Sequence, residues 1–95
     1  SDYLRQALER NPGMPDALYQ SATLAMLRKD PMRARAFMER YLGVATVSPQ
    51  ALAFAIEIEV ALDDRRAVAR YRERLIQEFP ESAEAESLNR NMGSR

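Results

Sequence analysis

The sequence contains no cysteine, no histidine and no tryptophan, and only three glycines among its 95 residues. Without cysteine, neither a disulfide framework nor a thiolate centre can form. Without histidine, the commonest metal ligand and the one side chain poised near neutral pH are missing, which argues against metal hydrolysis and Ser/His or Cys/His chemistry. So few glycines leave no phosphate-cradling loop. Carboxylates do occur in pairs, Glu57 with Glu59, Asp63 with Asp64 and Glu84 with Glu86. On a helix, however, residues one or two apart point away from each other. No catalytic residue, metal ligand or cofactor is therefore expected. Excess charge of one sign is also absent: 14 basic side chains balance 14 acidic ones, which argues against a dedicated nucleic-acid surface. Apolar runs are too short to cross a bilayer, and Ser1-Asp2-Tyr3-Leu4-Arg5 does not read as a signal peptide. What the chain does have is 46% hydrophobic residues. That is too apolar for a disordered segment and enough for one domain burying about 65% of its surface.

Helix-period patterns fill the sequence, while β-branched alternation and hairpin turns are nearly absent. The fold class is all-α. Proline at the first helical position costs no hydrogen bond, so Met14-Pro15, Asp30-Pro31 and Ser48-Pro49 mark helix starts, with Asp30 and Ser48 as N-caps. Asn11-Pro12-Gly13 and Phe79-Pro80-Glu81-Ser82 mark two further breaks, and Ser82 caps a last helix. Helices are predicted over 1–11, 15–29, 31–43, 49–62, 64–79 and 82–91. Connections this short predict antiparallel neighbours.

The pattern repeats. Leu8 and Leu42 lie 34 residues apart, Leu42 and Leu75 33 apart, and Pro12 and Pro80 68 apart. A helix-turn-helix unit of this period, with a small residue four before a large one in its second helix as in Ala34/Met38 and Ala67/Tyr71, resembles the tetratricopeptide repeat. Its first-helix pattern falls on Leu18, Ser21, Ala22 and Ala25, and on Ala51, Phe54, Ala55 and Ile58. The resemblance implies antiparallel hairpins stacked as a right-handed superhelix, an α-solenoid. The expected organisation is one domain over 1–95. Residues 1–12 form the second half of a repeat whose first helix is missing, 14–47 and 48–80 form repeats, and 81–95 form a capping helix and tail. An uncovered Leu4, Ala7 and Leu8 face then predicts self-association through that end.

On the helix over 49–62, Ala51, Phe54, Ala55, Ile58, Ala61 and Leu62 form one apolar stripe, and Leu52, Ile56 and Val60 a second. A helix apolar nearly all round is either sandwiched between neighbours or presents a groove. In the groove reading, Leu52, Ile56 and Val60 share a partner-binding surface with Tyr19, Thr23 and Met26. Arg66, Arg70 and Arg74 follow one another at i, i+4, i+8, a basic flank for a partner carboxylate or phosphate. The competing reading is a solvated face paired internally, since Glu78 follows Arg74 by four.

Four segments carry a more specific likeness: Ala7-Leu8-Glu9-Arg10-Asn11-Pro12, Ala34 through Leu42, Ala51 through Asp64, and Tyr71 through Ser82. Together they resemble the C-terminal repeats of the type IV pilus biogenesis tetratricopeptide lipoproteins, the PilF/PilW pilotin family. Family members typically carry Trp-Leu-Gly-Ile where this chain has Phe54-Ala55-Ile56. The resemblance implies a non-enzymatic scaffold at the periplasmic face of the outer membrane that helps the pilus secretin assemble or localise, held there by a lipid anchor that this chain does not contain. Its expected partner is the secretin or another pilus-assembly protein. Alternatives are a general peptide adaptor gripping C-terminal carboxylates, or the docking module of a larger protein.

Overall fold

The computed structural model describes residues 14–93, so the helix expected over 1–11 and the half-repeat built on it lie outside the described residues. Five helices and no strand are found among the described residues: α1 (Met14–Leu27), α2 (Pro31–Val44), α3 (Pro49–Ala61), α4 (Arg65–Glu78) and α5 (Ala83–Gly93). The proline starts hold. Asp30 Oδ1 accepts from the Arg33 N–H at 3.2 Å and Ser48 Oγ from the Ala51 N–H at 3.1 Å, each capping a helix that begins with proline. Ser82 Oγ accepts from the Ala85 N–H at 3.1 Å while donating back to the Phe79 carbonyl at 2.8 Å, which fixes the entry to α5. The helical-repeat architecture read from periodicity is the one observed.

Contacts divide the chain into two compact units between Thr46 and Val47. In the first, α1 and α2 pack as a hairpin. Its buried side chains are small or flexible: Leu18, Ala22 and Ala25 on α1, Ala34 and Met38 on α2. Alanines allow close helix approach, and the methionine fills the irregular gap that remains. At the side of the hairpin Tyr19 meets Tyr41 edge to face, with ring centroids 5.1 Å apart and planes at 69°. In the second unit α3 pairs with α4, and α5 packs on both. Leu52, Ile56, Leu75 and Ala85 form its core, with Val47, Val68, Tyr71, Phe79 and Leu88 packed around them.

One turn builds both hairpins. Lys29 (φ 61°) and Asp63 (φ 55°) occupy the left-handed region that normally calls for glycine. At each, two N–H groups reach back over the helix end. Lys29 donates to the Met26 carbonyl (3.0 Å) and Asp30 to that of Ala25 (2.8 Å), while Asp63 donates to Val60 (3.0 Å) and Asp64 to Glu59 (3.0 Å). The aspartates then cap the next helix, Asp64 Oδ1 accepting from the Ala67 N–H at 3.1 Å as Asp30 does from Arg33. Each aspartate thus closes one helix with its backbone and opens the next with its side chain. Asp30→Ala and Asp64→Ala should each cost about 1 kcal/mol, measurable by urea unfolding; a loss near zero at both would mean that the caps contribute nothing.

Gly43 lies inside α2, and a Cβ built there meets nothing within 4 Å. Its flexibility serves no visible contact. Gly43→Ala should therefore stabilise the fold by about 0.5–1 kcal/mol through reduced unfolded-state freedom, read as a raised Tm.

Candidate functional site

The two turns fix the repeat offset at 34 residues, and this corrects the register of the second hairpin. Leu18, Ala22 and Ala25 of α1 answer to Leu52, Ile56 and Glu59 of α3, and all six are buried. The expected alignment with Ala51, Phe54, Ala55 and Ile58 is one residue off. The same shift moves the groove positions: Tyr19, Thr23 and Met26 answer to Ala53, Glu57 and Val60. Leu52 is fully buried and Ile56 only 8% exposed, both against Leu75 and Ala85. They are core residues rather than a surface for a visitor, because α5 and α4 close over them. Of the two readings for α3, the sandwiched one holds at these positions. Val60 remains exposed at 61%. Ala61, placed on the core stripe by its spacing, is exposed as well, while Phe54 and Leu62 are half-buried.

The α1 positions differ in kind. Tyr19 is half-buried against Tyr41, Met26 is half-buried, and Thr23 is exposed with its hydroxyl donating to the Tyr19 carbonyl at 3.0 Å. Leu24, Leu27 and Met32 are also exposed, at 46%, 75% and 62%. Sequence reasoning named none of the three: it took groove positions from the apolar stripes of the first helices, and Met32 lies on α2.

The basic flank is not a uniform row. Arg66 and Arg70 are exposed, whereas Arg74 Nε donates to Glu78 Oε2 at 2.9 Å and its second nitrogen to Oε1 at 3.4 Å. These bonds raise the Arg74 pKa and lower that of Glu78, the hydrogen bond being the larger cause in each case. Arg74 is thereby committed to its own helix. Because the Glu78 value is depressed in the fold, its contribution is present above the ordinary carboxylate range and is lost as pH falls through the lowered value. The raised Arg74 stays protonated throughout. Acid titration by circular dichroism should therefore show a small helicity loss in that window, absent in Glu78→Gln; an identical acid profile in both proteins would contradict it.

Shallow clefts interrupt the helical surface of both units, one of them, of about 330 Å³, beside the turn between α3 and α4 and lined by Val60, Asp63, Arg65, Val68 and Arg72. In the first unit Ser21, Leu24, Arg28, Asp30, Arg33 and Phe37 line about 350 Å³. Its rim is of mixed charge, with Arg33 Nε 3.5 Å from Asp30 Oδ2. In the second unit about 440 Å³ opens between α3 and α5, floored by Ala53, Ile56, Leu75 and Leu88 and edged by Glu57 and Glu84. The Glu57/Glu59 pair is split as helical geometry requires, Glu57 outside and Glu59 buried. Among the described residues no cluster of acidic side chains could hold a metal ion, and no helix is long and apolar enough to cross a membrane.

The crystal structure of PilW, a widely conserved type IV pilus biogenesis factor, is similar to this chain over 92% of its length, with a TM-score of 0.75 and 26% sequence identity. The family resemblance read from the four sequence segments and the all-α repeat fold are both found in this likeness. The chain spans 40% of the length of the PilW chain that it matches. No protein-family model and no curated protein matches the sequence.

Proposed function

We propose that this chain is a non-enzymatic protein-protein interaction scaffold that assists type IV pilus secretin assembly or its localisation, at the periplasmic face of the outer membrane. The observation that carries the proposal is the PilW likeness across 92% of the chain. Exposed apolar side chains on the two first helices, Leu24 and Leu27 on α1 and Val60 on α3, support it as surface that a protein partner would cover. Candidate contact positions are Met26 and Thr23 on α1 and Val60 on α3, each within its own unit. Membrane attachment in this reading is through a lipid anchor. A carboxylate-gripping adaptor is disfavoured, since α3 offers Ala53 and Glu57 at the positions where lysine or asparagine would be needed.

Co-purification of the full-length protein with the pilus secretin tests the reading. Wild type should retain the secretin, and Met26→Glu with Val60→Glu should lose at least tenfold of it while keeping full helicity. Equal retention by the helical double variant would remove these positions from the account, and no retention by wild type would remove the secretin.

A further inference from the structure

The cleft between α3 and α5 and the cleft on the first hairpin differ in the sign of their rims. The floor of the α3–α5 cleft is apolar, from Ala53, Ile56, Leu75 and Leu88. Glu57 and Glu84 edge it, one on each helix, and no basic side chain among the described residues lines it. Neither carboxylate makes an ion pair with a basic group among the described residues. The first unit's cleft, by contrast, holds two arginines and an aspartate, with one pair already formed. Ala53 and Glu57 stand one turn apart on α3, as do Glu84 and Leu88 on α5, so each wall presents one apolar and one anionic position to the same opening.

We propose that this cleft docks a partner segment carrying a large apolar side chain flanked within one turn by lysine or arginine. The apolar side chain sits over Ala53 and Leu88, and the cation between Glu57 and Glu84. Bringing a cation there relieves two like charges that face one opening and have no counter-ion among the described residues, whereas an acidic segment would add a third. An anionic lipid surface is repelled by the same rim. A volume of about 440 Å³ lies at the lower end of the range for ligand clefts, room for a side chain or two rather than a whole domain. The proposal rests on the scaffold reading only in that both need a protein partner; it names that partner's chemistry.

A phage-displayed random peptide library, panned on the purified full-length protein, provides the probe. Enriched sequences should join Leu, Ile, Met or Phe to Lys or Arg within four residues. A synthetic peptide of the consensus should bind at least tenfold more weakly to Glu57→Lys/Glu84→Lys, with circular dichroism unchanged, and more weakly in high salt. An Ala53→Arg variant, which fills the cleft from its half-buried floor, should lose the peptide too. No enrichment, enrichment of acidic peptides, or equal binding by both helical variants would overturn the proposal, as would phosphatidylglycerol vesicles binding wild type in place of peptides. Peptide selection asks nothing of pili, so a cleft that selects basic-apolar peptides in a protein with no role in piliation would keep this inference and sink the pilus reading, and the reverse outcome would do the opposite.

Discussion

Leu75→Ala lowers the unfolding free energy by about 2–5 kcal/mol. Leu75 is 1% exposed and meets Leu52, Ile56 and Ala85, one contribution from α4, two from α3 and one from α5. Truncation there removes transfer free energy and leaves a cavity where three helices converge, and none of them can close it without leaving the other two. A domain of this size has roughly 5–15 kcal/mol of total stability, so the variant should unfold at a visibly lower urea midpoint. A loss below about 1 kcal/mol would mean that α5 does not pack on the hairpin as described.

Ala22→Leu costs about 1–3 kcal/mol for the opposite reason. Ala22 is fully buried on α1, and so is Ala34 on α2. Three added carbons have no free volume to enter, so either the helices separate or the side chain leaves its preferred rotamer. Its repeat counterpart Ile56 carries such carbons in the second unit, where α5 contributes only an alanine, Ala85, and a half-buried Leu88 at the same core. Ala22→Leu with unchanged or higher stability, measured by thermal and urea unfolding, would show that α1 and α2 are not in close contact.

Much of the fold was legible because its punctuation is chemical. Proline after Asp30 and Ser48 can occupy only the first helical turn, and the preceding side chain then has a backbone donor to accept from; both starts lie where the sequence puts them. Helix ends were harder. They are closed by Lys29 and Asp63 at positive φ rather than by glycine, so nothing in residue type announces the turn, and only its recurrence at a spacing of 34 gives it away.

The groove was misplaced for a related reason. An amphipathic helix fixes its own rotation, because its polar face can only look outward. α3 has almost no polar face: Ala51, Leu52, Ala55, Ile56 and Ile58 are all buried, and two registers one residue apart bury nearly equal apolar area. Sequence spacing could not choose between them, and the turn at Asp63 does. Once that choice is made, Leu52 and Ile56 leave the candidate surface, Ala53 and Glu57 enter it, and Val60 stays. The arginine flank was legible to the extent that Glu78 stands four residues after Arg74, the spacing at which the observed pair forms.

The most direct measurement is the state of the pilus secretin in cells lacking the full-length protein. Surface pili and secretin multimers at the outer membrane should fall sharply, returning with the wild-type gene and not with the helical Met26→Glu/Val60→Glu variant. Normal piliation and normal secretin multimers in the deletion strain would contradict the account.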